Sequence, residues 1–209
     1  MFSLQTIFGK GDKFYGLLEA SAESARTSTK ALIELLSAPT SQQSLDKFKQ
    51  ARRREKELFA KISEELVNTF VTVLEREDIE ALNSSLYKIP KVVEKFAERY
   101  TLAFTRIGDV DFTSRAVMLE QACAVLEQMV GQLRHGMDLD KIKGLNDQLQ
   151  TIEGEADRQI LELYREIYTN ESDPIRYLVK KDLFEILEKA IDRCRDAGNV
   201  IYHIVLKNS

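Results

Sequence analysis

Apolar residues recur at intervals of three and four along almost the whole of this 209-residue chain, and period-two alternation is nearly missing. That spacing places hydrophobic side chains on one face of successive α-helices and offers no half-buried strands, so the chain is predicted to be all-α. Gly and Pro support this, at only 9 and 3 residues, because sandwiches and barrels need both for their many tight turns. The length suffices for a core without staples. Hydrophobic residues at 44% against charged at 31% mark a globular chain, not a disordered one. Cys123 and Cys194 stand alone, without CxxC spacing, which gives no sign of a disulfide framework and suits a reducing cytoplasm. No apolar run approaches the roughly 20 residues of a membrane span. The opening Met1 to Phe8 has neither the basic start nor the long apolar stretch of a secretory signal. A net charge of -4 argues against bulk nucleic-acid binding.

Six helices are predicted. The first runs from about Lys13 to Ser37 and stops at Ala38-Pro39-Thr40-Ser41, where Pro39 cannot continue the hydrogen-bond ladder. The second covers about Gln43 to Phe70. Thr72 to Glu75 has capping-box spacing and is expected to open the third, which reaches about Thr105 with a kink or local break at Pro90. Gly108 to Asp111 divides the chain, with Asp111 as a capping acid. A fourth helix ends near His135 and Gly136. Asp138 caps a fifth to about Tyr168, and Pro174 opens a sixth to about Leu206. A shift of about 101 to 104 residues lays one half on the other, which predicts two repeated three-helix bundles, 1–108 and 109–209. Two separate bundles or one fused domain would give the same periodicity.

Nucleophilic catalysis finds little support, since His135 and His203 have no Ser or Cys beside them in a strained-turn motif. Gly9-Lys10-Gly11 lacks the strand and spacing of a phosphate loop. The acids of the second half are more informative. Glu153 and Asp157 are four apart, and Glu188, Asp192 and Asp196 form a stripe of four-residue steps, so each set shares one helix face. Such like-charge neighbours repel unless a cation offsets them, and facing carboxylates are how bundles hold metals. Spacing alone favours the plainer reading, a solvated acidic face laced with Lys189, Arg193 and Arg195. The matching region of the first half is basic, with Lys47, Lys49, Arg52, Arg53, Arg54, Lys56 and Lys61, and with Lys88 and Lys91 on the next helix. Few aromatics interleave these, which argues against nucleic acid.

Thr69 to Leu82, TFVTVLEREDIEAL, resembles a motif of PhoU-like proteins, in the branch associated with Pit-type inorganic phosphate transporters. The likeness continues through Ile152 to Arg158, Asp173-Pro174-Ile175 and Glu188 to Val200, and with Phe14 to Glu19 it covers nearly the whole chain. The resemblance implies two three-helix bundles and a cytoplasmic protein, peripheral to the inner membrane face, that modulates phosphate uptake and is not an enzyme. It implies docking on a Pit-type transporter and, as in family members with multinuclear clusters, metal sites of iron or zinc-like ions. Glu153, Asp157, Glu188, Asp192 and Asp196 match the family pattern. The first half departs from it, with Arg52 and Lys56 in place of paired acids, and Tyr87, Lys88 and Lys91 in the next acidic region. Val73 replaces the motif's usual proline. Metal is therefore expected only in the second half. The competing classes are a metal-dependent enzyme or store built on those acids, and a helical adaptor unconnected with phosphate. The basic face is expected either to be merely solvated or to attract anionic partners, among them the acidic half of a second copy in a head-to-tail oligomer.

Overall fold

The computed structural model describes residues 4–37, 44–107 and 110–209, with side chains from Asp12 onward. It contains six helices and, among the described residues, no strand: α1 (Leu4–Ser37), α2 (Asp46–Asn68), α3 (Arg76–Ile107), α4 (Thr113–Arg134), α5 (Leu139–Asn170) and α6 (Pro174–Asn208). The all-α expectation holds. None of these helices is long and apolar enough to cross a membrane.

Local chemistry explains most of the ends. Asp173 accepts hydrogen bonds from the backbone N–H of Ile175 (2.8 Å) and Arg176 (3.3 Å), and Pro174 takes the first helical position of α6. Asp138 caps α5 through Lys141 N–H at 3.1 Å. Gly136 closes α4 with φ of 109°, a backbone region that glycine enters without the penalty of a Cβ. Asp111 accepts from Thr113 N–H at 2.8 Å, one residue ahead of the N-cap position at Phe112.

Three boundaries differ from the sequence reading. The first helix begins at Leu4, well before Lys13, because Gly9 and Gly11 lower helix propensity without ending the helix. The capping box at Thr72 does not form. Instead α3 opens at Arg76, the Glu75 carbonyl accepts from Asp78 and Ile79 N–H at 3.1 Å each, and the Thr72 hydroxyl donates to the Leu74 carbonyl at 2.7 Å. The Arg76 guanidinium donates to the carbonyls of Leu66 and Thr69, satisfying the end of α2 at Asn68 instead of Phe70. No break occurs at Pro90, where α3 is continuous and Leu86, Ile89 and Val93 are fully buried around it. That burial offsets the lost backbone hydrogen bond. The predicted stop around Pro39, the start at Gln43 and the dividing pair Gly108-Asp109 lie outside the described residues.

The helices form two layers. A row α2–α3–α6–α5 lies in front of the pair α1 and α4, with α3 packed on α6 and α1 on α4. Phe96 of α3, Phe112 before α4 and Phe184 of α6 are all buried and in ring contact, at 5.6 Å between Phe96 and Phe112 and 4.7 Å between Phe112 and Phe184. Cys123 of α4 and Cys194 of α6 are buried free thiols with sulfurs 3.5 Å apart. Their mutual hydrogen bond and burial push the Cys194 thiol well up, so it stays protonated.

Gly198 marks the closest approach of α6 to its neighbours. A Cβ there would lie 2.4 Å from Leu149 Cδ1, 3.3 Å from Asn146 Oδ1 and 3.5 Å from Met129 Sδ. Leu149 is itself buried, so it cannot swing into water. Gly198→Ala is expected to cost about 1–3 kcal/mol in urea unfolding through overpacking, despite alanine's better helix propensity. A neutral or stabilising result would show that α5 can retreat freely.

Candidate metal centre

Helices α5 and α6 run antiparallel, and their facing sides carry the acids. Glu153, Asp157 and Asp192 each present a carboxylate oxygen within 4.8 Å of the others. Glu153 and Asp192 are half-buried and Asp157 is exposed, so the group sits at the rim of the interhelical seam. Three carboxylates converging from two helices are a donor set for one oxygen-preferring cation. The structure thus brings together three of the five acids singled out by spacing.

The other two are placed differently. Asp196 is held by arginines, with Arg193 Nη1 at 2.9 Å and Arg195 Nη2 at 3.3 Å. Glu188 lies one turn along α6 from Asp192, in an open groove of about 620 Å³ shared with Lys95, Tyr164, Lys189 and Arg193. Arg195 also reaches into the triad, its Nη1 2.6 Å from Glu153 Oε1. A metal taking both oxygens of Glu153 would have to displace that guanidinium.

The electrostatics point the same way. Burial pushes the carboxyl of Glu153 up, Arg195 pulls it back, and Asp157, Asp192 and Asp196 raise it again. Burial likewise raises Asp192, opposed by Arg195 and reinforced by Asp157 and Asp196. Glu188 is raised by burial and then by Asp192, Asp157, Glu185 and Glu153. A carboxyl whose folded-state pKa is raised contributes stability that is full below its unfolded pKa and is lost as pH rises through the folded value. Asp192→Asn in chelator is therefore expected to gain stability over the parent as pH rises from 4 to 7, and to show no gain at the acidic end. Parallel urea titrations check this, and a pH-independent difference would mean that repulsion is not what the substitution relieves.

In the corresponding region of the first half, Lys47, Lys49, Arg53, Arg54, Lys56, Lys61, Lys88 and Lys91 are exposed, as a solvated basic face would be, while Arg52 turns into the interior. Arg52 is 7% exposed and its guanidinium stacks over the Tyr87 ring at 4.1 Å, with Nε 3.7 Å from Glu94 Oε2. Glu55 is wholly buried and accepts a hydrogen bond from Ser21 Oγ at 2.7 Å. Burial pushes its carboxyl up, while the Ser21 bond and the Arg52 charge pull it down. Sequence reasoning passed over this cluster. The signal was the apolar stripe of α2, where Phe48, Ala51, Ile62 and Leu66 are buried and Arg52 and Glu55 fall on the same face. Elsewhere, His135 and His203 are both exposed, His135 at the end of α4.

No protein-family model matches the chain. It is 21% identical to a protein of Rhizobium meliloti, provisionally named a pit accessory protein, over 94% of each chain. It is 25% identical to the UPF0111 protein YkaA of Bacillus subtilis over 69% of this chain and 70% of that one. Among solved structures it resembles a provisionally named PhoU-like phosphate regulatory protein of Shewanella oneidensis, with a TM-score of 0.78 at 16% identity, covering 93% of this chain and 99% of that one. It also resembles PhoU of Pseudomonas aeruginosa, with a TM-score of 0.64 at 14% identity over 99% and 98% of the two chains. The solved structures cover nearly the whole chain, and the chain has the PhoU-like fold.

Proposed function

We propose that this protein is an accessory of a Pit-type inorganic phosphate transporter, acting in the cytoplasm by docking a helical surface on the transporter's inner face. The observation that carries the reading is the end-to-end match to the Rhizobium meliloti protein named for that role, over 94% of both chains. The PhoU-like fold supports it. Binding, not turnover, is the mechanism in this reading. The test is a pull-down with the intact protein from cells grown at low and at high phosphate. Recovery of a phosphate transporter under either condition supports the proposal, and recovery under neither overturns it.

A second reading rests on a separate observation, the convergence of Glu153, Asp157 and Asp192. These three fit one hard or borderline divalent cation, iron being better served than zinc by an all-carboxylate set. Glu188 and Asp196 flank the triad as outer acids. Such a cation would neutralise the cluster and tie α5 to α6. Elemental analysis of protein purified without chelator, compared with the double variant Asp157→Asn, Asp192→Asn, tests it. Equal metal content in the two removes these residues from any site. Hydrolysis of a phosphoester that is lost on chelation would move the protein into the enzyme class instead.

A further inference from the structure

The corner between α2 and α3 holds apolar side chains out to solvent. Val67 in the last turn of α2 is 84% exposed, Phe70 is 90% exposed, and Val71 beside it is exposed as well. Leu206 of α6 is exposed at the same end of the bundle, where Lys207 Nζ reaches Glu75 Oε2 at 3.0 Å. Grouped apolar side chains rimmed by charge mark a place where another molecule binds.

The corner is fastened so that Phe70 stays outside. Thr69 and Leu74, on either side of Phe70 and Val71, are buried. The Arg76 guanidinium donates to the carbonyls of Leu66 and Thr69 and, at 3.5 Å, to that of Phe70. The Thr72 hydroxyl donates to the Leu74 carbonyl at 2.7 Å. A ring presented on a backbone already tied down loses little freedom when a partner takes it. Aromatic anchors of this kind carry much of the energy of an interface.

Charge selects the partner. Between Glu64 and Glu80 the corner has six acids, Glu64, Glu65, Glu75, Glu77, Asp78 and Glu80, against one base, Arg76. Lys13 reaches Glu65 at 2.5 Å, and Lys207 is shared between Glu75 and Asp78. Glu64, Glu77 and Glu80 are exposed and have no ion-pair partner among the described residues. Such a rim is repelled by the inner leaflet of a membrane, whose anionic lipids give it a negative surface potential. It is attracted by the cytoplasmic loops of multi-span membrane proteins, which carry an excess of Lys and Arg.

Given the transporter reading, on which this rests, we infer that the α2–α3 corner is the surface that docks. Phe70, flanked by Val67 and Val71, fills an apolar pocket on the transporter's inner face, and Glu64, Glu77 and Glu80 meet the basic loops around that pocket.

The test is a pull-down with the intact chain from detergent-solubilised membranes of cells grown at low and at high phosphate. Four baits are compared: wild type, Phe70→Ser, the pair Glu77→Lys and Glu80→Lys, and Leu102→Ser. Leu102 is as exposed as Phe70 but lies roughly 40 Å away along α3, so it reports general stickiness. All these side chains are in solvent, and helical circular dichroism is expected to be unchanged. Should Phe70→Ser misfold, Val67→Ser with Val71→Ser takes its place. Wild type and Leu102→Ser are expected to recover a phosphate transporter equally. Phe70→Ser and the charge reversal are each expected to recover at least tenfold less. Equal recovery by wild type and Phe70→Ser overturns the inference and leaves the transporter reading standing, whereas recovery by no bait overturns both. Two further measurements separate other occupants. Wild-type binding to vesicles of equal parts phosphatidylcholine and phosphatidylglycerol, lost in Phe70→Ser, would put lipid on the corner and overturn the inference. A wild-type dimer in sedimentation equilibrium that Phe70→Ser dissolves would put a second copy there and equally overturn it.

Discussion

Replacing Phe112 with Ala is expected to lower the unfolding free energy by about 3–5 kcal/mol, the range for emptying a large aromatic from a core. Phe112 is 2% exposed and lies in the segment that leads from the first three helices into the last three. Its ring touches Phe184 at 4.7 Å, Phe96 at 5.6 Å and Tyr100 at 5.9 Å, so one side chain joins α3, α6 and the start of α4. Truncation opens a cavity whose walls come from both halves and cannot collapse without moving a helix. Urea titrations of Phe112→Ala and of Phe112→Leu separate cavity from connection. The leucine variant, which keeps most of the volume, is expected to lose less than half as much. A loss under 1 kcal/mol for the alanine variant would mean that the halves are held together elsewhere.

That junction shows what the sequence could and could not reveal. Period and composition sufficed for six helices, because an apolar stripe is a property of each helix by itself. The pairing of α1 with α4 and of α3 with α6 is a property of surfaces far apart in the chain, and no local pattern reports it. The missed start of α3 has the same origin. Thr72 to Glu75 has the right spacing for a capping box, yet Leu74 is buried and Arg76 turns back to the carbonyls of Leu66 and Thr69, so tertiary contacts choose a different first turn.

The candidate site was legible to a similar depth. Spacing placed Glu153 with Asp157, and Glu188 with Asp192 and Asp196, on common helix faces. It could not say which of them meet across α5 and α6, because arginine reach decides that. Arg193 and Arg195 draw Asp196 aside, and Arg195 also holds Glu153. In the first half the error ran the other way. Arg52 was counted as one more charge on a basic face, although its position on the buried stripe of α2 outweighs its residue type. Long cationic side chains reach ring faces and carboxylates from such positions, and Tyr87 and Glu94 of α3 provide both here.

Arg52→Met is expected to destabilise the protein by about 3 kcal/mol at neutral pH, since removing one partner from a buried charge cluster leaves the others uncompensated. Methionine keeps a flexible stem over the Tyr87 ring, so most of the loss reports charge and not volume. Two acids depend on the guanidinium. Burial raises Glu55, against the Ser21 hydrogen bond and Arg52. Burial also raises Glu94, followed by Glu98, against Arg52, Lys56 and Lys49. Without Arg52 both carboxyls rise further above their unfolded values. Stability linked to a raised carboxyl is full below the unfolded pKa and is lost as pH rises through the folded one, so the variant's deficit should widen with pH. Unfolding measured at pH 5 and pH 8 is expected to show the larger loss at pH 8. Adding Glu55→Gln to Arg52→Met removes the charge that most needs the arginine, because Glu55 is fully buried while Glu94 keeps contact with solvent. The double variant should regain stability at pH 8 and little at pH 5. An equal deficit at both pH values, unrelieved by Glu55→Gln, would assign Arg52 a packing role over Tyr87 in place of an electrostatic one.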